Sequence, residues 1–299
     1  MQLKLECILL SLFFVLLVPA TRAQFYFYND KYLEEEWVWE AGITAGMSNC
    51  LTDLGGNKGI GKKFIKDVNW NQGRVTAGLF VAANWQSVIT ARVDFNFLQL
   101  SGSDAVLKNK TGIAQGRYQR NLAFKTNVTE LTGLVELHPL FIKTNSKAPA
   151  FSPYITAGVG LFFYNPQASI NNVWYSLRDL HTEGQGFKEY SGRDAYKKFS
   201  YAIPVGLGIK YDAGHLLCVR FEILHRFTRT DYLDDVSTRY IDPAFFDKYL
   251  NTSLATIARQ LANPSGSAID GQRGNPANKD GYFSAVIKTA LIINRKKSL

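Results

Sequence analysis

The stretch from Arg74 to Leu100 constrains this chain more than any other, because it alternates with period two along two consecutive arms. Val75, Ala77, Leu79, Val81, Ala83 and Trp85 are apolar, and the positions between them, Arg74, Thr76, Gly78, Ala82 and Asn84, are small or polar, with Phe80 the one exception. After Gln86 and Ser87 the code resumes, with Ile89, Ala91, Val93, Phe95 and Phe97 set against Thr90, Arg92, Asp94 and Asn96. Such a pattern predicts a hairpin with long arms and one apolar face. In a soluble sandwich that face packs inward. In a membrane barrel it meets lipid, and the polar face lines the lumen.

The rest of the chain repeats the pattern and decides between the two. Strands are predicted from Glu36 to Met47, from Asn127 to Phe141, from Pro153 to Tyr164, around Tyr201 to Tyr211, from Leu217 to Phe227 and from Tyr282 to Ile293. With the hairpin arms this makes eight. Their connections alternate long, short, long, short, which is the asymmetry of outer-membrane barrels. Tyr201 and Tyr211 close the two ends of an aliphatic band, as an aromatic girdle requires. The expectation is an all-β fold, an eight-stranded antiparallel transmembrane β-barrel with long extracellular loops. The loop from Asp231 to Asp280 carries apolar residues at helical spacing, Phe245, Tyr249, Leu254, Ile257 and Leu261, which predicts one helix over 244–261.

Export fits this reading. Met1 to Ala23 has the form of a secretory signal, with Lys4, an apolar run from Ile8 to Val18 and small residues ahead of a cut before Gln24. Residues 24–299 then form the barrel domain. No later run approaches the length of a transmembrane helix, so any span is made of strands. Only Cys50 and Cys218 remain after the signal, one in a predicted loop and one in a strand, and no disulfide framework is expected. Lys and Arg number 34 against 25 Asp and Glu. A basic exported surface points to acidic neighbours such as lipid phosphates, and away from nucleic acid. The sequons at Asn109, Asn127 and Asn251 are read as incidental.

With the apolar faces outward, the lumen receives Glu40, Asp94, Glu130, Glu136 and Glu222 together with Arg92, Lys210, Arg220, Arg226 and Lys288. Eight strands enclose only enough space for side chains, so these ten groups must pair with one another in a closed core. The loop residues Asp231, Asp234, Asp235 and Asp242 form an acidic cluster, expected to be held by hydrogen bonds and by Arg229 or Arg239. Its spacing matches no EF-hand, and no metal or cofactor is assigned. Gly56, Gly61 and Lys62 mimic a phosphate-binding loop, but Lys63 stands where Ser or Thr is needed. Lys58, Lys62, Lys63 and Lys66 form a charge run that could meet lipopolysaccharide.

Three loop segments carry a resemblance. Leu51-Thr52-Asp53-Leu54-Gly55-Gly56, His181-Thr182-Glu183-Gly184-Gln185-Gly186 and the run Asp231 to Ser237 resemble an outer-membrane β-barrel family of Bacteroidota. That family is related to PorG-like components of the type IX secretion apparatus, with barrels of the OmpA and OmpX kind. The resemblance implies fold and outer-membrane location, with envelope or secretion proteins as partners. It departs at the C-terminus, where Asn294 to Leu299 follow the last strand in place of a terminal aromatic. The expected role is a non-enzymatic scaffold or interaction barrel at the cell surface. The alternatives are a lipid-modifying enzyme and a small-solute channel. His181, Thr182 and Glu183 do not by themselves make a nucleophile and base pair.

Overall fold

The computed structural model describes residues 32–33, 37–54, 56, 70–141, 151–266 and 271–297. The signal segment, the lysines at 58, 62, 63 and 66 and most of the predicted turn after Phe141 lie outside the described residues. Nine strands make the main sheet, in order β1 Trp37–Leu51, β2 Arg74–Trp85, β3 Ile89–Ser103, β4 Ala123–Leu137, β5 Phe151–Ile170, β6 Val173–Ser176, β7 Phe199–Asp212, β8 Leu217–Thr228 and β9 Gly281–Ile292, and Tyr32–Leu33 pairs separately with Lys296–Lys297. Each long strand pairs antiparallel with its neighbours in the chain, apart from the short β6, and β1 pairs with β9. The sheet therefore closes on itself as an eight-stranded up-and-down barrel, which leaves no open edge in its wall.

The period-two code translates directly into burial. Along β7, Tyr201, Ile203, Val205, Leu207, Ile209 and Tyr211 are all exposed, while Ala202, Pro204 and Lys210 are buried. The same holds in β3, where Val93, Phe95 and Phe97 face out and Arg92, Asp94 and Asn96 face in. The wall thus presents its apolar face to the surroundings, the reverse of a soluble sandwich. From Tyr201 to Tyr211 the belt spans ten residue steps, which at ~3.3 Å each and a tilt of about 40° is roughly 25 Å tall.

Both rims of this belt are aromatic. At the short-turn end Trp37 lies 6.5 Å from Trp85, and Phe151 lies 5.4 Å from Tyr211. At the long-loop end Phe163 lies 5.0 Å from Phe199, beside Tyr201. The girdle called on two tyrosines is therefore wider than they suggested. At the short-turn end the chain after β9 also clasps β1, with Asn294 donating to Trp37 O at 2.6 Å and accepting from Trp39 N at 2.9 Å.

Several boundaries differ from the expectation. β1 runs four residues past Met47, so Cys50 is in a strand and not in a loop. β4 begins before Asn127 and ends at Leu137, with Pro139–Phe141 forming a 3-10 turn. β5 continues to Ile170 and folds back through Asn171 and Asn172, both with positive φ (51° and 65°), into β6. Two adjacent left-handed residues make the type I′ turn whose twist suits a tight hairpin. A helix that period-reading missed, α1 Ile113–Arg120, bridges β3 and β4. After α2 Leu177–Leu180, the predicted single loop helix is two, α3 Ala244–Tyr249 and α4 Thr252–Ala262. Leu250 is extended between them, and Asn251 caps α4 by accepting from Leu254 N. The capping role of Asn251 follows the ordinary preference for Asn at that position.

Candidate functional site: a filled lumen and a buried loop cap

All ten predicted lumen residues lie inside the barrel and are at most 5% exposed. Their placement follows from register. Lys210, Arg220 and Lys288 stand side by side on β7, β8 and β9. Three cations in a row across a sheet repel one another, so the rest of the lumen must supply carboxylates. It does so as a chain of alternating charge. Lys210 meets Glu40 at 2.5 Å, and Arg220 bridges Glu40 to Glu136, reaching Glu136 at 2.6 Å. Arg92 continues from Glu136 to Glu222 at 2.6 Å and Asp94 at 2.8 Å, and Lys288 closes on Asp94 at 2.6 Å.

Nearer the loops Arg226 makes a two-pronged contact with Glu130, at 2.9 and 3.0 Å, which also accepts from the Tyr282 hydroxyl at 2.6 Å. Paired forks of this kind are the strong form of buried ion pair.

The exception in the code now has a physical reason. Phe80 is buried in the lumen, with the Lys288 ammonium 5.0 Å and the Arg220 guanidinium 5.6 Å from its ring centre. The ring face supplies negative quadrupole to a cation-rich wall. Tyr154 has a matching role, donating to Glu222 at 2.9 Å. Its ring needs Gly208 beside it, since a Cβ there would lie 2.4 Å from the ring.

Apolar plugs flank the charged layer. Val38, Phe80, Ala82, Cys218, Ala290 and Ile292 pack at the short-turn end. Leu98, Leu100, Val128, Phe162 and Tyr282 pack at the other and continue into the loops. The thiols of Cys50 and Cys218 are free, buried and at opposite ends of the barrel.

Above the barrel, the three loop segments singled out in the sequence come together. Leu54 N donates to Asp234 at 3.0 Å. Thr182 donates to Asp235, and Glu183 accepts from Ser237 N and Thr238 N, both at 2.9 Å. Arg273 ties the set: it meets Glu183 at 2.9 Å, donates to the carbonyls of Asp235 and Ala262, and lies 3.8 Å from the Asp235 carboxylate. A second arginine, Arg120 at the end of α1, grips Asp104 through two prongs and donates to the carbonyls of Asp53 and Arg273.

The acidic cluster is therefore real but differently composed. Asp231, Asp234 and Asp235 are buried in it, whereas Asp242 stands apart, accepting from Ala244 N at the start of α3. Asp53 and Asp280 join instead, accepting from Asn275 N at 2.6 Å and Leu233 N at 2.8 Å. Of the two arginines expected to hold the cluster, Arg229 donates to the Tyr201 hydroxyl instead, and the backbone of Arg239 bridges with Gln272. Arg273 and Arg120 were missed because neither stands in a period-two strand pattern or a recognisable motif. Among the described residues no group of His, Cys, Asp or Glu converges to hold a metal ion.

The helices of this loop are covered by the chain itself. Phe246, Ala255, Ala258 and Leu261 join one core with Leu177, Leu180, Phe187 and Leu233. Phe187 stacks on Tyr249 at 4.2 Å. The apolar side of these helices is thus buried in a lid over the barrel mouth.

Burial makes this lid sensitive to pH. It pushes the Asp235 carboxyl up to about 7, outweighing the opposing pull of Arg273. It also raises Asp234 and Asp280, whose proximity to further carboxylates adds to the effect. In each case the folded lid holds a proton that the opened loop releases from about pH 4 upward. The added stability is greatest in acid, declines as pH rises, and for Asp235 is gone once pH passes about 7. The loops are therefore expected to be cleaved faster by a protease at pH 8 than at pH 5, after correction for the protease's own profile. Equal protection at both values would refute this.

Comparison with known proteins adds a family. A model described as a domain of unknown function (DUF6089) matches residues 24–243. No curated protein matches the chain in sequence. Among solved structures, the chain is similar to the N-terminal β-barrel domain of Pseudomonas aeruginosa OprF at 7% identity and a TM-score of 0.34, covering 87% of this chain and 98% of that one. It is similar to Ail, the attachment invasion locus protein of Yersinia pestis, at 9% identity and a TM-score of 0.34, covering 85% and 98%. It is similar to OprG from P. aeruginosa at 12% and 0.33, covering 87% and 95%. Likenesses of this size carry no weight in assigning a role, which rests on the geometry of the chain itself.

Proposed function

The chain belongs to the DUF6089 family, and we propose from its geometry that it is an outer-membrane β-barrel acting as a non-enzymatic scaffold at the cell surface. The observation that carries the membrane reading is the belt: a closed wall, apolar outward over roughly 25 Å and bounded by aromatic rims, is what a bilayer core covers. An apolar surface of that extent on a soluble monomer would drive association. The long loops then face outward from the cell and the short turns face the periplasm.

The filled interior supports a scaffold over a channel. Charged residues paired across the lumen, with apolar layers above and below, leave the loops as the surface offered to partners. The burial of Thr182 and Glu183, both at 0% exposure, supports a structural use of that segment over catalysis on lipid. Envelope or secretion proteins are the proposed partners, on the resemblance of the three loop segments to PorG-like components, and the outer face contacts lipid and lipopolysaccharide.

The test is fractionation with electrophoresis and bilayer recording. The protein is expected to float with outer membranes, to migrate differently before and after heating, and to give no steady large conductance. A soluble periplasmic product would refute the membrane reading, and a stable open conductance would refute the scaffold.

A further inference from the structure

A groove of about 570 Å³ indents the outward face of the barrel at its loop end, lined by residues of β1 to β4. Its floor is Ala77, which lies between Ala45 on β1 and Phe97 on β3 in register. The small pair Ala45 and Ala77 leaves a hollow, and Met47, Val75 and Phe97 stand as its apolar walls. The groove crosses the upper edge of the belt. Val75 and Phe97 are the last apolar residues of their strands on that face, and Arg74, Gln99 and Asn127 cap them.

Arg74 is set differently from other cations at this end. Arg229 is turned onto the Tyr201 hydroxyl, and Lys125 lies 5.1 Å over the Trp174 ring. Arg74 is braced through Nε, which donates to the Ser101 hydroxyl at 2.8 Å, and its two Nη groups make no bond among the described residues. A guanidinium fixed at one edge presents a planar pair of donors, a match for the oxygens of a phosphate.

We propose that this groove is a lipid site: it seats one acyl chain of a phosphate-bearing lipid of the outer leaflet on Ala77 between Met47, Val75 and Phe97, with the lipid phosphate on Arg74. The site rests on the membrane reading above. It adds a specific, saturable partner to a wall that otherwise meets bulk lipid.

The test uses the full-length protein in detergent with lipid A as probe, read by native mass spectrometry. Wild type is expected to retain one lipid A per barrel, to retain the dephosphorylated lipid far less, and to keep its adduct in millimolar inorganic phosphate. Arg74→Gln is expected to weaken retention roughly tenfold to a hundredfold, the range for a hydrogen bond to a charged group. Ala77→Phe, which fills the hollow and leaves the arginine in place, is expected to abolish retention. Lipid A bound equally by both variants, or equally well without its phosphates, would overturn the site, as would displacement by inorganic phosphate alone. The variants are also run on gels with and without heating. A heat-modifiable barrel without a specific adduct refutes only the site, whereas a protein absent from the outer membrane refutes the membrane reading.

Discussion

Arg220→Met is expected to destabilise the barrel by about 3–5 kcal/mol, the cost of breaking a buried ion pair, and to remove most of its heat-modifiable folded form. Arg220 is fully buried and is the link between Glu40 and Glu136. Without it, Glu136 retains Arg92 and Glu40 retains Lys210, so neither carboxylate is wholly unpaired. The charge of the layer nevertheless moves from balanced to one excess anion, in a space that water does not reach. Arg229→Met is the control, because that arginine is on the exposed rim and surface changes of this kind fall within about 0.5 kcal/mol. Thermal melting in detergent, followed by mobility on unheated gels, separates the two. Equal melting of both variants would mean that the lumen network contributes little.

The lumen was legible because strand geometry gives a two-state rule. Once the apolar face of Tyr201 to Tyr211 is assigned outward, every residue between is inward, and the ten charges follow without further information. Phe80 broke the rule in composition but not in geometry: it faces in, with the cations, because a ring face attracts cations as well as packs. The ends of strands were less legible. β5 was expected to stop at Tyr164, but it runs on through Asn165 and Pro166 to Ile170. Pro166 pairs opposite Thr126, past the last β7 contact at Phe199, where a missing N–H is harmless.

The loop cap resisted sequence reading for a different reason. Its contacts join Leu54 to Asp234 across 180 residues and Arg273 to Glu183 across 90, and no periodicity encodes such pairs. Each partner looks like an isolated polar residue in a loop. Asp231, Asp234 and Asp235 drew attention through density alone, which also drew in Asp242, a helix-start residue with no part in the cluster. The helical spacing of Phe245 to Leu261 was read correctly as amphipathic, but spacing does not say what covers the apolar side. Phe187 and Leu233, both distant in sequence, cover it.

Arg273→Met is expected to open this cap while leaving the barrel folded. Arg273 is 2% exposed, and its guanidinium reaches Glu183 on one loop, Asp235 on a second and the Ala262 carbonyl at the end of α4. Removing it leaves Glu183 buried, still accepting from Ser237 N, Thr238 N and the Thr238 hydroxyl. Those three donors hold the effect near the lower end of the range for a broken buried pair, about 3 kcal/mol. Because loops above a closed wall can open without unfolding it, the change should appear as faster proteolysis within 181–198 and 229–280, by roughly a hundredfold at the same enzyme concentration. Arg273→Lys restores the charge but cannot reach three acceptors at once, so it should recover only part of the protection. Unheated gel mobility should be that of the wild type in both variants. If cleavage accelerates only together with loss of the folded band, the cap and barrel unfold as one unit, and the loops are not the independent lid described above.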